Sequence, residues 1–218
     1  MEFHFQGKRE EADAATFLFT PPDGFTWTAG QSIKVEVAGP YGPLEHRFSI
    51  SSAPYEGIIA ITTRLSGSAY KNSLAKLQPG DSVKGYGLEG TFTWRESTAP
   101  LIFIAAGIGI TPFHAILKQR IHEGAPVPVM LLYGSTTPDA IFAQEFDAWQ
   151  RERPELSVRY IIGRHITTFD LPDHNEHLIY ISGPSLMVDE LSAELIERGV
   201  PETRLIRDWF TGRLPQLG

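Results

Sequence analysis

The spacing of hydrophobic and polar residues divides the chain into two parts. Up to about Trp94, short segments either alternate apolar and polar residues or are rich in β-branched residues, which predicts β-strands. Turn-forming stretches such as PPDG, GPYGP and QPGD separate these segments. The predicted strands cover residues 1–8, 15–20, 32–37, 47–51, 58–64 and 82–86, with one helix over 68–77. Many short strands at close spacing predict a small antiparallel β-barrel.

After the polar stretch RESTAP, apolar runs alternate with helical segments. Strands are predicted over residues 101–106, 127–133, 156–162, 178–182 and 205–210, and helices over 111–123, 139–151 and 185–198. Such alternation is typical of a parallel sheet with helices on its faces. We therefore predict a two-domain protein in which an antiparallel β-barrel (residues 1–97) is followed by an α/β parallel-sheet domain (residues 98–218).

Composition excludes several classes of function. The chain has 218 residues and a formal net charge of −7 without a dense Lys/Arg cluster, which argues against nucleic-acid binding. The absence of cysteine excludes disulfides and an iron–sulfur cluster held by this chain. Its histidines lack metal-ligand spacing, so no metal site is expected. The polar N-terminus and the lack of an apolar run of about 20 residues predict a cytoplasmic protein without membrane insertion.

Two glycine-containing turns follow predicted strands and open predicted helices. They are GIGITP, from Gly107 to Pro112, and SGPSLM, from Ser182 to Met187. Ligands of open α/β sheets bind at the carboxyl ends of strands, where helix N-termini attract anions. A glycine pair can equally serve close packing of a helix on a strand. For GIGITP alone, phosphate binding and packing therefore stay open as alternatives.

One segment of the predicted barrel combines cationic, aromatic and hydroxyl side chains. This is HRFSISSAP, which begins at His46. In a regular strand, alternate residues face the same side, so His46 and Phe48 are expected on one face and Arg47 and Ser49 on the other. Taken by itself, the segment also fits a plain half-exposed strand.

Together and in this order, these segments resemble the ferredoxin–NADP reductase family of flavoproteins. HRFS occupies the flavin signature, GSAYKNSL from Gly67 the segment that holds the flavin pyrophosphate, and GIGITP the nucleotide loop. SGPSLM matches the family's Cys-Gly-Pro-x-x-Met, and the closing DWFTG (208–212) resembles the terminal signature of stand-alone bacterial members. The similarity covers nearly the whole chain. It implies a barrel that binds FAD and a sheet domain that binds NADH or NADPH.

The resemblance also implies site residues. The expected FAD-binding residues are His46, Arg47, Phe48, Ser49, Thr62, Thr63, Arg64, Ser68, Tyr70 and Lys71, with Phe210 either covering the flavin or serving as core. The expected nicotinamide-dinucleotide-binding residues are Gly107, Gly109, Thr111, Pro112, Gly183, Pro184 and Met187. Ser49, near flavin N5, and Ser182, near the nicotinamide, are the expected catalytic residues.

The chain departs from the family pattern at three positions. His46 occupies the usual arginine position, and Arg47 follows it as a second candidate for the FAD phosphates. Ser182 replaces the cysteine beside the nicotinamide, which predicts slower hydride transfer. Thr136 stands where relatives often carry an arginine for the 2′-phosphate of NADPH, which favours NADH unless Arg164 reaches that phosphate.

The resemblance implies an FAD-dependent NAD(P)H oxidoreductase that passes electrons to a separate acceptor. Candidate acceptors are a ferredoxin, a haem protein, ferric iron and a quinone. The acidic composition makes an acidic ferredoxin a less natural partner. A non-catalytic flavin- or nucleotide-binding regulatory subunit is the alternative that Ser182 favours, and a scaffold without FAD is a third hypothesis.

Overall fold

The computed structural model describes residues 1–65, 67–172 and 176–210. The chain forms two compact units. The first contains Met1–Trp94 and Thr111–Ala125, and the second contains Arg95–Ile110 and the chain from Pro126 onward. An antiparallel sheet dominates the first unit and a parallel sheet the second, so the predicted fold class is confirmed. The sequence predicts a domain boundary between residues 97 and 98, with FAD bound before it and the nicotinamide dinucleotide after it. This division stays a prediction.

The sheet of the first unit has six strands in the order β4-β3-β6-β1-β2-β5. The elements of this part are β1 (Glu2–Glu11), β2 (Ala14–Thr20), β3 (Ser32–Gly39), β4 (Gly42–Ser49), β5 (Ile59–Arg64), α1 (Ala69–Ala75) and β6 (Ser82–Glu89). The outer strands β4 and β5 meet just beyond the end of β4. There Ser51 N donates to the carbonyl of Ala60 at 2.9 Å, and Ser51 Oγ lies 2.8 Å from Thr62 Oγ1. The sheet is therefore curled into a half-barrel.

The interior of the half-barrel follows from the alternation of its strands. Apolar side chains at every second position of β1, β2 and β3 are buried and form one cluster: Phe3, Phe5, Phe17, Phe19, Ile33, Val35 and Val37. Helix α1 adds Leu74 to this cluster. A Cβ at Gly85 would lie 1.4 Å from a ring carbon of Phe3, so the glycine makes room for that ring.

The structure corrects the predicted start of β4. The prediction treated GPYGP as a turn and began the strand at Arg47, whereas β4 begins at Gly42. Gly39 pairs with Gly42, so the turn comprises only Pro40 and Tyr41. Proline and glycine usually interrupt strands, but β4 is an edge strand, where the missing N–H of proline is tolerated.

The second unit contains a five-stranded parallel sheet in the order β11-β10-β7-β8-β9. The remaining elements of the chain are β7 (Leu101–Ala106), α2 (Thr111–His122), β8 (Val129–Ser135), α3 (Ala143–Glu152), β9 (Leu156–Ile162), β10 (Ile179–Pro184), α4 (Ser185–Glu197) and β11 (Leu205–Phe210). Of these, α2 packs in the first unit. Helix α3 begins four residues after the predicted start at Asp139. The central strand β7 is almost continuously apolar, as expected for a strand buried on both faces.

Helix α2 packs against the loops of the half-barrel, although the sequence alternation predicted it as part of the parallel-sheet domain. His114 is buried, and its Nδ1 lies 2.7 Å from the carbonyl oxygen of Ser51. The rings of Phe113 and Phe92 form an edge-to-face pair with centroids 5.2 Å apart. The Tyr55 and His122 rings are stacked at 3.7 Å. The first unit is therefore built from two separate stretches of sequence.

Candidate functional site

An aromatic cluster forms where β4 meets α1. His46 and Phe48 project from the same face of β4, with ring centroids 4.8 Å apart. Tyr70 of α1 lies 5.7 Å from each of them. Phe48 is buried, whereas His46 is exposed. The alternation predicted for HRFS is present, and it brings three rings together with their planes tilted by 39° to 69° to one another.

Arg47 is held on the side of β4 that faces β3 and β6. Its guanidinium donates to the carbonyl of Gly87 at 2.9 Å and to Ser32 Oγ at 3.2 Å. It also forms an ion pair with Glu89 at 3.1 Å. Of the two adjacent candidate cations, His46 therefore belongs to the aromatic cluster, while Arg47 ties neighbouring strands together.

Cationic side chains border the aromatic cluster. Burial lowers the pKa of Lys71, and the charge of Arg64 lowers it further. Desolvation lowers the pKa of His46, and the charge of Lys71 lowers it further. Arg64 pairs with Asp13 at 2.8 Å, but within the described part of the chain no carboxylate pairs with Lys71 or His46. A bound anion would relieve the repulsion among these cations.

The first turn of α1 lies beside these cations. Ser68 caps the helix, and its Oγ accepts a hydrogen bond from the backbone N–H of Lys71 at 3.3 Å. That amide already has a partner within the helix. The positive charge at this end of the cluster therefore comes mainly from the Lys71 side chain.

Three predicted FAD-binding hydroxyls are buried in the half-barrel: Ser49, Thr62 and Thr63. Thr62 Oγ1 lies 2.8 Å from both Thr16 Oγ1 and Ser51 Oγ. This chain of hydroxyls links β2, β5 and the end of β4, so Thr62 has a structural role that its sequence position did not reveal. The contacts predicted between these residues and FAD stay predictions.

The turn after β7 packs directly on β10. Gly107 has φ 54°, in the left-handed region that favours glycine. A Cβ at Gly109 would lie 2.3 Å from the carbonyl oxygen of Ser182, so any larger residue would force the turn away from the strand. Packing therefore suffices to explain Gly109, and phosphate binding at this turn stays a prediction.

Ser182 is fully buried at the centre of β10. Its backbone is paired with Ala105 on one side and Asp208 on the other. Among the described residues its Oγ has no hydrogen-bond partner. A buried hydroxyl without a partner costs about 1–3 kcal/mol, and this cost singles out Ser182 among the expected site residues.

The remaining predicted nucleotide-binding residues are divided between the two units. Pro184 at the end of β10 pairs with Phe210 of β11. A Cβ at Gly183 would lie 2.8 Å from the terminal methyl of Met187. Thr111 and Pro112 are buried at the start of α2 in the first unit. The last two residues of the predicted DWFTG signature lie outside the described part of the chain.

An arginine–carboxylate pair that sequence reasoning missed stands beyond the carboxyl end of β9. Arg164 donates two hydrogen bonds to Asp170, at 2.7 Å and 2.5 Å. Hydrogen bonds from Arg164 and from the Thr167 backbone hold the pKa of Asp170 far below its usual range, and the same pair raises the pKa of Arg164. The Thr-x-x-Asp spacing from Thr167 to Asp170 is a helix-capping pattern that could have revealed this carboxylate.

Neither a cluster of metal ligands nor a membrane-spanning helix occurs among the residues that the structure describes. Within the described ranges, no three His, Asp or Glu side chains come together as metal ligands. In the same part of the chain, none of the helices has both the length and the hydropathy needed to cross a membrane.

Comparisons with known proteins agree with this arrangement. Residues 103–167 match the family model described as an oxidoreductase NAD-binding domain. "Ferredoxin--NADP reductase B" of Sorangium cellulosum (strain So ce56) is 30% identical over 159 residues, covering 71% of this chain and 62% of that protein. The toluate 1,2-dioxygenase electron transfer component of Pseudomonas putida is 29% identical over 198 residues, covering 83% and 58%. The chain therefore spans less than two thirds of the length of these relatives.

Solved structures share the whole fold. The flavohem-like FAD/NAD binding domain of nitric oxide dioxygenase from Vibrio cholerae O1 biovar El Tor has a TM-score of 0.84 at 23% identity, covering 96% of this chain and 98% of that chain. A ferredoxin NADP+ reductase from Neisseria gonorrhoeae with bound FAD and NADP has a TM-score of 0.81 at 17% identity, with coverages of 96% and 98%. The resemblance to the ferredoxin–NADP reductase family is thus confirmed, both in sequence and in fold.

Proposed function

We propose that this chain is an FAD-dependent NAD(P)H oxidoreductase that passes electrons to a separate acceptor. The observation that carries the proposal is the group of cations around the aromatic cluster of the first unit. Burial first and a neighbouring positive charge second lower the pKa values of Lys71 and His46, and the described residues offer neither of them a carboxylate. A ligand with an aromatic ring system and a dianionic diphosphate suits such a region, because its rings can pack against the aromatic cluster and its charge balances that of Lys71.

The residues of the first unit have distinct proposed tasks toward FAD. Phe48 and Tyr70 offer apolar ring surface to the isoalloxazine, while Lys71 and, once protonated, His46 neutralise the diphosphate. Arg64, which pairs with Asp13 at 2.8 Å, adds positive charge beside Lys71. Ser49, buried at the end of β4, is proposed to contact the reacting edge of the flavin. When bound, FAD supplies a carrier that takes two electrons from a reduced nicotinamide dinucleotide and releases them to the acceptor.

The second unit is proposed to bind the nicotinamide dinucleotide. The matched NAD-binding domain model and the buried hydroxyl of Ser182 without a partner among the described residues support this part of the proposal. Ser182 would donate a hydrogen bond to a polar atom of the ligand and so fix its orientation. Gly183 keeps the surface beside it low, because it carries no side chain.

The acceptor is proposed to be a separate protein or small molecule: a ferredoxin, a haem protein, ferric iron or a quinone. The names of the relatives, which include a dioxygenase electron transfer component and a Flavohemoprotein of Vibrio cholerae, favour a redox protein. The sequence has no cysteine to ligate an iron–sulfur cluster, so electrons cannot reach the acceptor through a cysteine-ligated cluster in this chain. A cytoplasmic location stays part of the proposal.

One experiment separates the proposed enzyme from the alternatives. The purified chain is incubated with FAD and desalted, and its visible spectrum is recorded before and after anaerobic addition of NADH or NADPH. A yellow protein that bleaches with either dinucleotide is the expected result. A protein that stays yellow with both is a flavin-binding regulatory subunit, the alternative that Ser182 favours. A protein that retains no FAD contradicts the flavin site itself.

A further inference from the structure

Arg164 occupies the edge of the parallel sheet where nucleotides are expected to bind. It follows Gly163, whose N–H donates to the carbonyl of Ser135 at 2.9 Å and so joins the ends of β9 and β8. In open α/β sheets, ligands bind beyond the carboxyl ends of the strands, and an arginine there can accommodate the 2′-phosphate of NADPH. Thr136, next to this edge, carries no charge. By its position alone, Arg164 is therefore a candidate partner for such a phosphate.

The guanidinium of Arg164 is already paired with a carboxylate of the same chain. Both terminal nitrogens of Arg164 donate to Asp170, Nη1 to Oδ2 at 2.7 Å and Nη2 to Oδ1 at 2.5 Å. This is the two-point geometry that a phosphate would otherwise take. Arg159 adds a weaker contact to the same carboxylate at 3.7 Å. The carboxylate is thus a built-in competitor for the anion of a ligand.

Asp170 is also fixed in place. Its side chain is only 6% exposed, and Oδ2 accepts hydrogen bonds from the Thr167 backbone N–H at 3.0 Å and from the Thr167 hydroxyl at 3.2 Å. A phosphate that captured Arg164 would leave this buried carboxylate without its principal cation. Arg164 is 52% exposed, so the cost of separating the pair falls mainly on the buried Asp170 carboxylate, which would keep only its hydrogen bonds from Thr167 and the long contact to Arg159.

We infer that Asp170 is a specificity-determining residue that makes the chain favour NADH over NADPH by holding Arg164 in a bidentate ion pair. The inference rests on the proposed function, because it concerns the dinucleotide that the proposed enzyme would use. An uncharged 2′-hydroxyl places no demand on Arg164. A 2′-phosphate must either displace Asp170 or lie near its negative charge.

The first test measures binding and does not require turnover. Isothermal titration calorimetry compares 5′-AMP with 2′,5′-ADP, which adds the 2′-phosphate, on the full chain. For the unmodified protein we expect 2′,5′-ADP to bind at least about threefold more weakly than 5′-AMP, since its 2′-phosphate must displace Asp170 or lie near the carboxylate charge. Equal or tighter binding of 2′,5′-ADP overturns the inference, and so does the absence of binding by both compounds.

The second test releases the arginine. Asp170→Asn removes the carboxylate charge while keeping an oxygen that can accept from Thr167. We expect 2′,5′-ADP to bind about tenfold more tightly to this variant, with the affinity for 5′-AMP unchanged. Adding Arg164→Ala should abolish the gain. Glu202→Gln, which breaks the Arg207–Glu202 pair in the same unit, serves as the matched control and should produce no gain.

These outcomes keep the inference separate from the proposed function. Circular dichroism melting identifies an Asp170→Asn variant that fails to fold, in which case the two affinities of the unmodified protein decide. If Asp170→Asn gains affinity for 2′,5′-ADP but neither NADH nor NADPH reduces bound FAD, the inference stands and the enzymatic proposal fails. If NADH reduces the flavin and the folded variant gains nothing, only the inference fails.

Discussion

Two cationic regions of the molecule differ in whether the chain supplies its own counter-charge. Around the aromatic cluster of the first unit, Lys71 and His46 face further positive charge, and the pKa of each is lowered. Beyond β9 in the second unit, Arg164 is gripped by Asp170, and its pKa is raised. Lys71 and His46 therefore lack a carboxylate partner among the described residues, whereas Arg164 has one.

The difference teaches that a basic residue alone does not define an anion site. The pKa values of Lys71 and His46 are lowered first by burial and then by a neighbouring positive charge, so their charged forms are disfavoured and an anion beside them would stabilise those forms. A raised pKa of Arg164 means that its charged form is already satisfied, so an incoming anion must first displace Asp170. We therefore propose that the first region accepts a diphosphate and that a phosphate at the second must compete with Asp170.

The largest effect that tests this contrast is expected at Lys71. Replacing it with methionine removes a charge-assisted contact to the proposed diphosphate, and we expect the FAD dissociation constant of the stripped protein to rise about 10- to 100-fold. Flavin fluorescence titration measures it. Lys76→Met, an exposed lysine that caps the other end of α1, should change affinity by no more than about twofold. Equal losses in both variants would show that only the net charge matters.

A smaller effect is expected at Ser182 and extends the contrast to a neutral group. Ser182→Cys replaces a hydroxyl that lacks a partner among the described residues by a polarizable sulfur, which contacts aromatic rings favourably. We expect the rate of flavin reduction by the reduced dinucleotide to rise about 2- to 10-fold in stopped-flow measurements. Ser192→Cys, at a buried serine of α4 that bonds to Val188, is the control and should leave the rate unchanged. An unchanged or slower rate in Ser182→Cys contradicts the prediction.

The smallest effect concerns pH. The pKa of His46 lies below its usual 6.5 before FAD binds, and a bound diphosphate would raise it, so binding takes up a proton. FAD affinity should therefore fall as pH rises from about 5 to 8, by about fivefold or less. His46→Arg keeps its charge over this range and should flatten the dependence. A fluorescence titration series that gives the same slope for both proteins would remove His46 from the site.

Much of the fold could be predicted from local patterns. Alternating apolar residues in β1 to β3 and the continuous apolar run of β7 correctly predicted an antiparallel and a parallel sheet, because burial on one or both faces dictates these patterns. The shared face of His46 and Phe48 followed from the same alternation. The start of β4 was wrong because Gly42 and Pro43 indicate a turn unless the edge position of the strand is known.

Other features depend on contacts between residues far apart in the sequence. The close approach of Gly109 to Ser182 joins segments more than 70 residues apart, so the turn alone could not separate packing from ligand binding. The sequence put His46 first and kept Arg47 as a second candidate, and only the neighbouring strands revealed that Arg47 has partners of its own. The capture of Arg164 by Asp170 required a bend of the chain that brings a short capped turn back to the end of β9.

The packing of α2 has a consequence for dissecting the protein and for its synthesis. A fragment that stops at residue 97 would expose Phe92 and leave the carbonyl of Ser51 without His114, because the helix that covers them is added only with Thr111–His122. During synthesis, the chain must therefore be translated through α2 before the contacts of this helix with Ser51 and Phe92 can form. Truncations intended to isolate it should retain residues through Ala125.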